Sequence, residues 1–285
     1  AVMTLGSEAT AEDIEQQRIN LGLDQPYIIQ LGNFLSQVFI HGDFGTSYMY
    51  RVNVTSELWQ RFPRTLLIGC MSILVAVGLG VPLGVTAATH QNSFWDSASM
   101  VISLIATSMP AFWFGLMLVL IFSVYLGILP SSGIGGIKYF ILPCLANCAA
   151  GLAQIARNTR SSMLEVIRAD YITTARAKGI SNFKVIYKHA LKNALIPVIT
   201  VAGSTFGSLL GGSVLIEKVF AIPGIGSYVI TAVGNRDYPV IRSSVIMLCI
   251  AFSIVMLLVD LIYAFIDPRI KSQYVGKRKG AKKGV

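Results

Sequence analysis

The chain has 285 residues, 54% of them hydrophobic and only 13% charged, about half the charged share of ordinary soluble domains. That balance excludes a soluble globular enzyme and points to an integral membrane protein. The net charge of +9 would suit a nucleic-acid surface, but the basic residues flank apolar runs and do not line an aromatic-studded groove, so nucleic acid is not expected as a partner.

In chain order, "EATAEDIEQQRINLGLDQP" opens with Thr10 as a helix N-cap and Asp13 three residues on, and ends at Gly22. This predicts a short soluble helix. "HGDFGTS" at 41–47 is turn chemistry, and the Asn53-Val54-Thr55 sequon carries little weight. Five stretches then approach the roughly 20 apolar residues of a spanning helix: 66–88, 99–126, 139–157, 194–216 and 241–266. Pro110 in the second should kink it, since proline lacks a backbone donor and clashes with the preceding turn. Two short re-entrant halves are the alternative. Between the last two spans, 217–240 is too broken by Pro223, Gly224 and Gly226 to cross again, and reads as a loop with a short interfacial helix.

Lysine and arginine set the orientation. Eight basic residues fall in 157–193 and seven after Pro268, out of twenty-three in the chain. Both regions are therefore expected in the cytoplasm, with 1–64 and 217–240 outside. An N-terminal segment held outside implies a sixth, preceding transmembrane helix that this sequence lacks. The domain reading is an extracytoplasmic segment (1–64), a transmembrane domain (65–267) containing a cytoplasmic loop at 158–193, and a basic cytoplasmic tail (268–285). The fold class is all-α and polytopic.

The cysteines Cys70, Cys144, Cys148 and Cys249 lie in apolar runs and read as packing residues. Cys144 and Cys148 share a helix face, but no third ligand stands near them in sequence, and no metal site is assigned.

One segment departs from the lipid-like pattern: "DYITTARAKGISNFKVIYKHALKNALIP" (170–197). Apolar residues at Ile180, Phe183, Ile186, Tyr187, Ala190, Leu191 and Ala194 form one helical stripe. Lys184, Lys188 and Lys192 form another. Gly179 suits the left-handed end of the helix carrying "TTARAK", and Ser181 can cap the next one. The segment is either an interfacial helix whose lysines meet lipid phosphates or a rigid elbow that fits a groove on a cytoplasmic partner.

This stretch resembles the cytoplasmic EAA coupling loop of the permease subunits of binding-protein-dependent ABC importers, in the dipeptide, oligopeptide and nickel subfamily. "LGLDQP" (21–26), "GDFGTS" (42–47), "SMPAFW" (108–113), "EKVFAIPGIG" (217–226), "RDYPV" (236–240) and "DPRI" (267–270) match in the same order. Thr173 and Thr174 stand where many permeases have Glu and Ala, and the loop's proline arrives late, at Pro197.

The resemblance implies an ATPase-coupling role for Asp170, Thr174, Ala175, Arg176, Ala177, Lys178, Gly179, Phe183 and Tyr187, and the apolar stripe leads to the expectation that Phe183 and Tyr187 anchor the elbow. It places Glu217, Asp237 and Tyr238 at the outer gate or against a docked binding protein. It also implies a bacterial inner-membrane location, a second permease subunit, two ATPase subunits carrying ATP and Mg, and an extracytoplasmic solute-binding protein. Membrane lipid is expected around the spans. The expected solute is a peptide, with nickel or a metal chelate as the alternative.

Gly203, Gly207 and Gly211 repeat every four residues, a small-residue face for close helix packing or for a pore. Asp260, in the last span, is expected to pair with Arg157 or Arg160. No GxxxxGK[ST], HExxH or GxSxG occurs, so no ATP site or catalytic residue is assigned to this chain. From other classes, an ion-coupled secondary transporter would show internal repeats, and a membrane scaffold would not need the loop.

Overall fold

A computed structural model describes residues 10–266, with side chains through Ile262. The basic tail and the "DPRI" motif lie outside the described residues. Every regular element among the described residues is helical.

Helix α1 (Ala11–Asn20) is closed by a reciprocal cap, in which the Asp13 N–H donates to Thr10 Oγ1 and the Thr10 N–H donates to Asp13 Oδ2. No residue of α1 is buried. Pro26 starts α2 (Tyr27–Phe39), a 13-residue helix absent from the sequence reading. Asn53, whose side chain accepts from the Ser56 N–H at 3.1 Å, caps α3 (Val54–Thr89). At 36 residues and 1.5 Å each, α3 runs about 54 Å, well beyond a hydrocarbon core of about 30 Å. It thus starts eleven residues before the boundary at 65 expected from hydropathy alone.

Helix α4 (Phe94–Ser108) meets α5 (Ala111–Leu118, continued by wider turns to Tyr125) at a bend of 104°. Met109 is extended there, as a residue preceding proline tends to be. The start of α4 pairs with one end of the bundle through Asp96 and Arg160. Leu118 packs at the opposite end with Phe140 and Phe220. The broken pair therefore joins the two ends, which favours one kinked span over two re-entrant halves.

Helix α6 (Lys138–Ile167) is the most buried of the long helices and packs on α3, α4 and α5. Its close approach to α3 relies on two α3 glycines, since a Cβ at Gly80 would meet the Leu152 carbonyl at 2.9 Å and one at Gly84 would meet the Ala156 carbonyl at 2.5 Å. Helices α7 (Asp170–Ala177) and α8 (Asn182–Lys184) follow, and α8 runs through a wider stretch, Val185–Ala190, into α9 (Leu191–Val219). A short helix, α10 (Ile225–Gly234), precedes α11 (Tyr238–Ile266). Among the described residues, four helices are long and apolar enough to cross a membrane, and the bent pair, taken as one span, makes five.

Candidate functional site

At one end of the bundle α7 and α8 form an elbow. Gly179 stands at φ +75°, and a Cβ there would have nothing within 4 Å. The bend needs glycine for its backbone conformation and not for space. Beneath the elbow, Ile172, Ala175, Val185, Ala190 and Ala194 pack on Val85 and Ala88 of α3 and Met163 of α6. Asn193 Nδ2 donates to the Tyr171 hydroxyl at 2.9 Å and ties the two arms together. Any force on the elbow therefore reaches α3, α6 and α9 through packed side chains.

The expected anchor is corrected here. Phe183 and Tyr187 are 70% and 46% exposed, and Val185 is the fully buried residue. Hydrogen bonds over five residues through Val185–Ala190 turn the helix more slowly than an α-helix does; of the expected stripe, Ile180, Ile186, Ala190, Leu191 and Ala194 pack into the core, and Phe183 and Tyr187 turn outward. The two rings lie 4.7 Å apart, tilted by 35°. With Arg176, His90 and Ile167 they line a recess of about 410 Å³. Ala177, Lys178, Lys184 and Lys188 are exposed on the same elbow. Asp170 opens α7, and Thr174 Oγ1 donates back to the Asp170 carbonyl at 3.0 Å. Ser181 takes the cap position of α8 without a side-chain hydrogen bond.

The opposite end is held by two buried carboxylates. Glu217 is fully buried. Its Oε1 accepts from the Thr65 hydroxyl at 2.7 Å, and its Oε2 accepts from the Ser227 N–H at 3.0 Å in the first turn of α10. The Ile225 N–H donates to Thr65 Oγ1 at 2.9 Å, and Arg64 donates to the Pro223 carbonyl at 3.1 Å. A Cβ at Gly224 would fall on the Glu217 carboxylate. The run "EKVFAIPGIG" is thus a loop wrapped around a carboxylate that sits at a helix N-terminus, a position that favours negative charge.

Asp237, also buried, accepts from the Ser47 hydroxyl at 2.5 Å and from the Tyr48 and Met49 N–H groups at 3.1 and 3.4 Å. The motifs "GDFGTS" and "RDYPV", 190 residues apart at this bond, are one clamp. Direct contact of Glu217 or Asp237 with a docked protein is therefore corrected, because neither reaches the surface. Tyr238 does, at 61% exposure.

Between the clamps lies a cavity of about 510 Å³ lined by Tyr50, Arg61, Lys218, Ser227, Tyr228 and Thr231. Arg61 donates to Glu57 Oε2 at 3.0 and 2.7 Å and stacks 4.4 Å over the Tyr228 ring. Burial, chiefly, pushes the Tyr228 phenol up to about 12.

Gly203 and Gly207 face α11, where a Cβ would run into Val259 and Phe252, whereas at Gly211 it would meet nothing within 4 Å. Arg160 pairs with Asp96, at 2.5 and 2.7 Å, and Arg157 donates to the Ser103 carbonyl at 3.3 Å. Asp260 is exposed and has no partner among the described residues, so the expected pairing with Arg157 or Arg160 is corrected. Asp96, its sequence far from Arg160, carried no signal of that pairing beyond its charge in a polar turn.

Among the described residues, the fold is a bundle of up to five segments apolar enough to cross a membrane, with a packed elbow at one end and a clamped cavity at the other, and it is that of a polytopic membrane protein. The chain belongs to the family of binding-protein-dependent transport system inner membrane components, whose model matches residues 80–272. Residues 1–69 match the N-terminal model for the same transport systems. It is 42% identical to the dipeptide transport system permease protein DppB of Alkalihalophilus pseudofirmus, over 94% of this chain and 88% of that protein. It is 43% identical to the glutathione transport system permease protein GsiC of Salmonella typhimurium, over 95% of this chain and 88% of that protein. The fold matches a chain of the inward-facing MetNI methionine ABC transporter with a TM-score of 0.62, at 20% identity, over 74% of this chain and 96% of that one. The chain is a multi-pass inner-membrane protein, and the family match sets aside the secondary transporter.

Proposed function

We propose that this chain is the permease subunit of an ATP-driven peptide importer and forms part of the solute path together with a second permease subunit. Two ATPase subunits carrying ATP and Mg bind at the elbow, and an extracytoplasmic binding protein delivers solute at the clamped end. The observation that carries the reading is the elbow itself. Its base is packed into α3, α6 and α9, and its outer surface exposes two aromatic rings in one recess with Arg176, together with Lys178, Lys184 and Lys188 on the same elbow.

Closure of the ATPases on ATP pushes this surface, and the packed base moves three helices together. The bend at Pro110 gives α4 and α5 a hinge between the two ends. Glu217 and Asp237 keep the loops of the clamped end in place while the path opens. The clamped end faces outward and the elbow faces the cytoplasm, on the basic residues of 157–193. Peptide is preferred over nickel because relatives at 42% and 43% identity are named for a dipeptide and for glutathione.

Uptake of a labelled dipeptide into proteoliposomes holding the whole complex tests this. ATP on the elbow side and binding protein on the clamped side should both be required. Uptake driven by an ion gradient without ATP, or uptake of nickel with no peptide uptake, would overturn it.

A further inference from the structure

We infer that α2 lies in the outer leaflet of the bilayer and binds phospholipid acyl chains along an apolar stripe, bracing the outer clamp from the membrane side. The inference rests on α11 crossing the bilayer. Helix α2 has 13 residues, YIIQLGNFLSQVF, none of them charged. At that length it is too short to span and suits an interfacial position. Ile28, Leu31, Leu35 and Phe39 recur at i, i+3, i+7 and i+11, which places them on one face of a 3.6-residue helix. All four are exposed, from 40% at Leu35 to 80% at Ile28.

The amide side chains Gln30, Asn33 and Gln37 face elsewhere and are occupied. Gln30 donates to the Gln25 carbonyl at 2.7 Å, Asn33 to Gln25 Oε1 at 3.2 Å, and Gln37 to Asp43 Oδ2 at 3.1 Å.

Two further observations choose lipid as the occupant. Phe39 shares an apolar groove of about 360 Å³ with Ile246, Ile250, Ile254 and Leu257 of α11, so the α2 stripe continues the exposed face of a spanning helix. Ile246 lies eight residues into α11, about 12 Å at 1.5 Å per residue, a depth that belongs to acyl chains and not to water. The stripe is also built of branched and aromatic side chains, with Tyr27 and Phe39 at its ends, whereas helix partners in membranes favour small residues at the contact. Phe34 sits 4.1 Å beneath the Arg242 guanidinium, which holds the helix against the start of α11. Through Gln37 and Asp43, α2 bears on the loop that Asp237 clamps.

The test uses the whole complex in nanodiscs of phosphatidylethanolamine and phosphatidylglycerol. Photoreactive p-benzoylphenylalanine is placed at Leu31, at Leu35, at Asn33 as the polar-face control, and at Leu257 as the spanning-face control. Irradiation should give lipid-mass adducts from Leu31 and Leu35 at least about tenfold above Asn33, and comparable to Leu257. Adducts to any protein chain at Leu31 and Leu35, or lipid labelling there no greater than at Asn33, overturns the inference. Lipid adducts at Leu257 in that same result would leave the spanning reading of α11 intact, and their absence would count against that reading separately.

Discussion

Glu217 shows what a family motif means in atoms. Its two carboxylate oxygens accept hydrogen bonds from the buried Thr65 hydroxyl and from the first-turn N–H of the half-buried Ser227. Glu217→Ala strands the buried Thr65 hydroxyl, at about 1–3 kcal/mol for a buried group left without a partner, and removes the acceptor of the Ser227 N–H. The thermal midpoint of the purified complex should fall clearly, and Glu217→Gln, which keeps one acceptor oxygen, should fall less. Equal midpoints for the two variants would remove the clamp role.

Asp43 offers a pH test at the same scale. The Gly45 N–H, first, and the Gln37 amide hold its carboxyl below the ordinary value of 3.8. A carboxyl depressed on folding stabilises fully above its unfolded value, and that stabilisation is lost as pH falls through the folded value. The midpoint difference between parent and Asp43→Asn should therefore be constant from pH 7 to 5 and shrink below about pH 3.8. A difference that holds steady down to pH 3 would contradict the assignment.

Among the elements, the five crossing segments were legible because each is a long apolar run, and α1 because its cap is local. Helix α2 was not, although Ile28, Leu31, Leu35 and Phe39 recur at helical spacing, since 13 residues are too few for a span and no charged residue marks its polar face. The elbow's bend could be read at Gly179 and most of its buried face at Ile186, Ala190 and Ala194, but the burial of Val185 in place of Phe183 and Tyr187 could not, because the wider turn through Val185–Ala190 departs from 3.6 residues. The pairing of Ser47 with Asp237 was equally hidden, as two short motifs far apart in sequence give no sign that they touch.

The glycine repeat of α9 divides in the same way. Gly207→Leu would drive a side chain into Phe252, and overpacking of this kind costs about 1–3 kcal/mol or more. Its yield and thermal midpoint should drop. Gly211→Leu meets open space within the chain, so it should fold like the parent and affect only transport or assembly with the second subunit. If both variants fold equally well, the packing contact with α11 is not what the first glycines are for.

At the scale of the molecule, the elbow and the clamps lie at opposite ends of α3, α6 and α9, and the proposed cycle requires movement at one end to reach the other. Gly179→Val tests whether the elbow is where that movement enters. A side chain at φ +75° carries left-handed strain of roughly 1–2 kcal/mol, about a 5- to 30-fold shift against the bent form, with no clash to disturb the bundle. The decisive measurement is peptide taken up per ATP hydrolysed, in proteoliposomes of the complete complex with Gly179 or Val at this position. Parent-like insertion and docking of the binding protein, with uptake per ATP reduced at least about fivefold or the ATPase subunits released, is the predicted result. Parent-level uptake and peptide-stimulated hydrolysis in the valine variant would contradict the coupling role and leave the elbow as an interfacial helix whose lysines serve lipid phosphates.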